Sequence, residues 1–286
     1  MLRNIRTRRA KIVVFFILVS IGFFLGFDNP SRLKYVPPTD LDALNPISLS
    51  DTLELEKMTW MEVRDRIRSG YSRVIIPTGG IEQNGPFVAL NKHDLIVKEV
   101  SLRVAKNLGR TLVAPVVSFV PEGNIEPQSG HMRYPGTISL SENVFESLLS
   151  QIALSLNAHG FTEVLLVGDS GDSQLGLQRV AERLSKRWRG TGSSIRYIQE
   201  FYDYDRVREI IKASGIRETP EVFHEELAFS AQLMAIDPAA IRYDERLRAG
   251  RDTLGGVSLR NIDQVRTLGN EILRDRVERI SDAIRR

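Results

Sequence analysis

Glu163-Val164-Leu165-Leu166-Val167-Gly168-Asp169-Ser170-Gly171-Asp172 decides the fold. Its apolar run is too short for a helix and does not alternate, so Glu163 to Val167 reads as a strand buried on both faces. Gly168 to Asp172 then turns the chain, and a helix follows to Trp188. Upstream, Ser139-x-x-Glu142 has the spacing of a capping box and opens a helix to His159, closed by Gly160. Further back, Ser72 to Pro77 is a second strand, followed by a glycine-rich loop to His93. Asp94 is placed to cap a helix to Leu108, and Leu112 to Phe119 reads as a strand interrupted by Pro115. Thr59 caps a helix from Trp60 to Arg68. Downstream come a strand from Ser194 to Glu200 and a mostly helical remainder, with an amphipathic last helix over 262–285. Strands alternating with helices indicate βαβ units, a parallel sheet and helices on both faces. In such folds ligands sit beyond the carboxyl ends of the strands. Two loops lie there, Thr78 to Pro86 and Gly168 to Asp172.

The composition suits this reading. Of 286 residues, 42% are hydrophobic and 26% charged, which excludes a disordered or fibrous chain. There are no cysteines, so disulfides, zinc ribbons and thiol nucleophiles are excluded. Histidine occurs only at 93, 131, 159 and 224, so a metal site must draw largely on oxygen ligands.

The net charge of +3 comes from the N-terminus. Residues 1–27 carry five basic side chains and no acid, leaving 34 basic against 36 acidic side chains in the rest. No basic block marks the body, so no nucleic-acid partner is expected. Ile12 to Phe27 is an uninterrupted apolar or small-residue run behind Arg3, Arg6, Arg8, Arg9 and Lys11. That is the layout of an export signal. Bulky residues at Phe24 and Leu25 spoil a cleavage site, which favours an uncleaved anchor. Positive charge stays inside, so the body is expected on the exported side of the inner membrane, or secreted to the periplasm after cleavage. Residues 28–50 carry four prolines and read as an extended linker, leaving 51–286 as the α/β domain.

Several side chains stand where chemistry needs them. Glu82 follows Gly79-Gly80 and precedes Asn84-Gly85-Pro86, where a carboxylate points at the crevice. His93 sits at the entry to the next helix, within reach as a ligand or base. His131 lies in the long loop 120–136. Ser170 stands where a strand turns into a helix, but Asp172 replaces the last glycine of the G-x-S-x-G elbow. His224-Glu225-Glu226 offers a general base or metal ligands.

Glu82-Gln83-Asn84-Gly85-Pro86, Tyr134-Pro135-Gly136-Thr137-Ile138-Ser139-Leu140, the turn from Gly168 to Ser173, and His224 with Asp237-Pro238 downstream resemble the creatininase family over roughly 56–286. The resemblance implies a three-layer αβα sandwich with a mostly parallel sheet. It also implies metal-dependent hydrolysis of cyclic amides and related C–N bonds, and a homo-oligomer. The family's E-Q-H-G-P-H pattern keeps Glu82 but has Asn84 and Phe87 at its histidines. Its bridging aspartate falls at His93, its turn histidine at Ser170, and its later acid at Phe229.

Three readings follow. In one, a single divalent ion (zinc, manganese or iron) is held by Glu82 and His93 with help from Asp169, Asp172 or Glu225. Glu82 and His224 then carry the catalysis, with His224 as general base or acid. Asn84, His131 and Ser170 line the substrate loops for a small-molecule amide. In the second, the chain is an inactive, membrane-tethered binding or scaffold module without cofactor. In the third, Ser170 is a metal-free nucleophile paired with His224.

Overall fold

The computed structural model describes residues 41–217 and 224–286. Its contacts divide the chain into Met1–Ile47 and Ser48–Arg286. The expected anchor, 12–27, and the linker up to residue 40 lie outside the described residues. Among the described residues no helix is long and apolar enough to cross a membrane.

In chain order the second unit contains α1 (Trp60–Arg68), β1 (Arg73–Thr78), α2 (Lys92–Leu108), β2 (Thr111–Val113), α3 (Glu142–Ala158) and β3 (Glu163–Gly168). It continues through α4 (Gln174–Arg187), β4 (Ser194–Tyr197), α5 (Tyr204–Ala213), α6 (Leu227–Ile236) and α7 (Tyr243–Arg248). A small hairpin of β5 (Thr253–Leu254) and β6 (Val257–Ser258) precedes α8 (Ile262–Arg285). Among the described residues the main sheet has the order β2-β1-β3-β4, and every pairing in it is parallel.

Period-two alternation distributes these strands between two cores. Val74, Ile76, Leu112, Val164 and Leu166 face one core, against Phe145 and Leu149 of α3 and Leu177 and Val180 of α4. Ile75, Val113, Leu165 and Val167 face the other, against α2, α5, α6 and α8. The result is the three-layer αβα sandwich that the resemblance implied. Each fully buried valine, leucine or isoleucine contributes about 1.5–3 kcal/mol relative to exposure. Leu227 through Met234 of α6 are all buried, so this helix is core rather than cover. At Gly269 a Cβ would collide with the Ala231 carbonyl, so glycine permits the close approach of α6 and α8.

The elements depart from the sequence expectations at four places, each for a local reason. β2 stops at Val113 rather than Phe119, because Pro115 interrupts the ladder. Pairing resumes only where Val117 exchanges bonds with Pro77 and Gly79, at 2.9 and 3.0 Å. β4 ends at Tyr197, and Gln199–Tyr202 is a 3-10 turn. Asp94 does not cap α2; it lies inside the first turn and accepts from the Gly80 N–H at 3.0 Å. Ser139 does not cap α3 either; it accepts from the Glu122 N–H at 2.8 Å and donates to the Gly123 carbonyl at 2.7 Å. Thr59 does cap α1, in a reciprocal box with Glu62.

Candidate functional site

The carboxyl ends of β1 and β3, the start of α2 and the loop around His131 converge on a small cleft of about 160 Å³. Glu82, Lys92, Glu122, His131, Ser170 and His224 line it. Gly79 and Gly80 give the Glu82 loop its room. A Cβ on Gly79 would run into Asp94, and one on Gly80 would run into Glu122 Oε1.

Glu82 is the hub. Its Oε1 receives His93 Nε2 at 2.9 Å and lies 3.1 Å from Lys92 Nζ. Its Oε2 lies 3.3 Å from His131 Nε2. Burial alone would raise the Glu82 carboxyl. The hydrogen bond from His93 and the charges of His93, Lys92 and His131 outweigh that and hold it below the usual range.

Glu82, His131 and His224 each offer a ligand atom, all within 4.8 Å of one another, and form a group able to hold a metal ion. The His131 and His224 rings meet edge to face with centroids 4.5 Å apart. His224 has a left-handed backbone with φ 63°, uncommon for a residue with a side chain. Its carbonyl accepts from Lys92 Nζ at 3.4 Å. Burial and the charge of Lys92 lower the His224 pKa, which favours a neutral ring with a lone pair to offer.

His93 is placed differently. Its Nδ1 meets Asp169 Oδ2 at 2.8 Å while its Nε2 meets Glu82, so a carboxylate engages each ring nitrogen. Burial and the Lys92 charge press its pKa down. The bonds to Asp169 and Glu82 prevail, and the pKa is raised. The Phe229 ring packs edge-on to His93, and Lys92 Nζ lies 4.2 Å from its centroid.

Asp169 is fully buried. Tyr204 donates to both its oxygens at 2.9 and 3.1 Å, and Arg276 Nη2 donates to Oδ1 at 2.7 Å. Burial would raise this carboxyl, but Arg276 and His93 bring it down to about 2.

The expected site residues thus separate. Glu82, His131, Ser170, His224 and Asp172 share the cleft, as does His93. His93 and Asp169 have their ligand atoms committed to each other and to Glu82, Arg276 and Tyr204, so they do not join the metal-capable group. Glu225 points away, to Arg246 Nη2 at 3.2 Å and the Phe87 N–H at 3.1 Å. Asn84 is buried beneath the loop, donating to the Glu82 and Ala89 carbonyls at 2.9 and 3.0 Å. It braces the loop rather than facing the cleft. Ser170 is nearly buried, and among the described residues no hydrogen bond joins it to His224.

Three side chains at or behind the cleft carry no signal in the sequence. Lys92 was hidden beside the more conspicuous His93. Glu122 sits in a third loop past the sheet, with 1% exposure and an Oε1 without a partner. Burial and the neighbouring Glu82 charge push its carboxyl well above the usual range. Arg276 approaches from the far end of the chain.

A parallel αβα sandwich with a carboxylate and two imidazoles gathered past the sheet's carboxyl edge defines an α/β protein with a metal-capable cleft. The sequence profile of the creatininase (creatinine amidohydrolase) family matches residues 56–274, and the chain belongs to that family. A creatinine amidohydrolase of Pseudomonas putida is 27% identical over 119 residues, 42% of this chain and 45% of that enzyme. The chain therefore matches less than half the length of this relative. Among solved structures, the manganese form of creatininase has a TM-score of 0.61 at 20% identity, covering 82% of this chain and 98% of that one. A creatininase variant complexed with creatine gives the same TM-score, identity and coverage. A putative creatinine amidohydrolase of Bacteroides fragilis gives 0.56 at 14% identity, covering 81% of this chain and 97% of that one. These likenesses show the fold.

Proposed function

We propose that the chain is an amidohydrolase that opens a small cyclic amide at its C–N bond with the help of one divalent ion. The observation that carries this reading is the convergence of Glu82, His131 and His224 to within 4.8 Å. Two imidazoles and a carboxylate suit zinc, manganese or iron, and three protein ligands leave a position open for water. The donors fit one ion and not two. Glu82 Oε1 and both Asp169 oxygens already face Lys92, His93 and Arg276, and Phe229 offers no ligand.

When bound, the ion would polarise the amide carbonyl and lower the pKa of its water. The chain's own groups do the rest. Lys92 and His93 keep Glu82 ionised from the side away from His131. Glu122 carries a proton into the cleft and can hand it to the departing nitrogen, as C–N cleavage requires. Ser170 lines the cleft beside Glu122. His224, exposed at the edge of the cleft, offers a ring nitrogen within 4.8 Å of the Glu82 and His131 ligand atoms.

One observation favours a second reading, a catalytically inactive binding module. Lys92, His93 and Arg276 already balance Glu82 and Asp169 without an ion. Hydrolysis of a panel of cyclic amides separates the two. The first reading expects activity that is abolished by chelator and by Glu82→Gln and restored by added metal. Chelator-resistant turnover, or none with any amide, overturns it. The basic and apolar N-terminal residues support an exported, membrane-anchored location, to be tested by fractionating cells that express the full chain. Small-molecule amide substrates and homo-oligomerisation belong to the same proposal.

A further inference from the structure

A file of buried polar groups leads from the cleft to the last helix. Glu82 bonds His93, His93 bonds Asp169, and Asp169 bonds Arg276. Arg276 is 1% exposed and does not line the cleft. Its Nη2 also donates to the Phe201 carbonyl at 2.9 Å, and its Nη1 donates to Gln232 Oε1 at 2.7 Å and Tyr204 Oη at 3.3 Å. The Phe201 and Tyr204 rings stack on the guanidinium, 4.9 and 5.1 Å away. Four acceptors, on α5, on α6, just past the end of β3 and in the turn before α5, therefore fix one fork. Arg276 also lies beyond residue 274, where the family match ends.

We propose that Arg276 is a positioning residue of the metal-capable group: through Asp169 and His93 it fixes the Glu82 carboxylate facing His131 and His224. The inference rests on the metal reading above. His93 is held from both sides, so it can set the rotation of Glu82 only while Asp169 is itself held. Tyr204 restrains Asp169 but carries no charge to oppose it, and Arg276 does. Groups that orient a ligand in this way typically change metal affinity by about 10–100-fold when removed.

Zinc titration of the full chain by calorimetry tests this, with thermal melts as the control for folding. Arg276→Met is expected to weaken zinc binding by about 10–100-fold. Arg276→Lys should recover part of the loss, since it keeps the charge but not the fork. Where Arg276→Met does not fold, the double variant Asp169→Asn/Arg276→Met removes both buried charges and is expected to show the same weakening. Arg279→Gln breaks the surface pairs of the same helix with Asp275 and Asp203 and should leave zinc affinity unchanged. Folded Arg276 variants that bind zinc as tightly as the unaltered chain overturn the inference alone, as does an equal loss in Arg279→Gln. Where the unaltered chain takes up no zinc, the same titrations use manganese or iron, and a chain that binds none of the three overturns the metal reading and this inference with it.

Discussion

Replacing Gly79 with alanine probes how tightly the Glu82 loop is built against α2. The added Cβ would overlap Asp94 Oδ1 and come within 2.8 Å of Asp94 Cα and N. The side-chain overlap can relax by rotation, but the backbone overlap cannot, because Asp94 lies in the first turn of α2. Overpacking of this kind costs about 3 kcal/mol, the upper end of the usual range. Losing the Gly80–Asp94 hydrogen bond adds about 1 kcal/mol. For a domain of this size, about 4 kcal/mol lowers the melting temperature by roughly 8–16 °C. The same shift carries Lys92 and His93 away from Glu82, so zinc affinity should fall with stability. Thermal and urea melts with parallel zinc titrations measure both. Asp94→Ala in the Gly79→Ala background removes the side-chain overlap and leaves the backbone one, so it should recover less than half of the loss. Full recovery, or a single variant that melts within about 2 °C of the parent, would mean that the loop and α2 have room for a Cβ after all.

Other consequences follow from the site's charges. Asp169, at about 2 against an ordinary 3.8, contributes roughly 2 kcal/mol above pH 4. That stability should disappear as pH falls toward 2, in urea melts across pH 2–7. His93 is shifted upward, so its contribution is present below its ordinary 6.5 and lost as pH rises through its folded value; melts at pH 7–10 should show the decline. Glu122→Gln keeps the size and neutrality of the side chain but removes its transferable proton. Turnover should fall by about 10²–10⁴ with zinc content unchanged, read by steady-state kinetics and metal analysis. Glu225→Gln should destabilise the fold by about 1–3 kcal/mol, because buried Arg246 loses its partner, and leave zinc affinity unchanged in a titration.

The layers were legible because the strands carry their own signal. Glu163 to Val167 is apolar on both faces and short, and it forms the inner strand β3. Thr59 marks the start of α1 at the right residue. Asp94 and Ser139 were misread because their hydroxyl or carboxyl could serve a helix end or a distant amide equally well. Local spacing does not tell these apart. In the site, Glu82, His131 and His224 were each recognisable as chemically able, but their convergence joins residues up to 142 positions apart. His93 stands at the family's bridging-aspartate position, which points to a ligand; that carboxylates flank it on both sides depends on Asp169, 76 residues away. Arg276 lies 107 residues beyond Asp169 in an ordinary charged helix, where nothing local marks it as buried.

The proposed function requires this centre to hold one metal ion through Glu82, His131 and His224. Elemental mass spectrometry of the full chain, purified without a histidine tag and dialysed against metal-free buffer, tests it most directly. One equivalent of zinc, manganese or iron is expected, falling sharply in Glu82→Gln, His131→Ala and His224→Ala. A chain that retains no metal and takes none up from these three ions would contradict it, as would a chain that holds two.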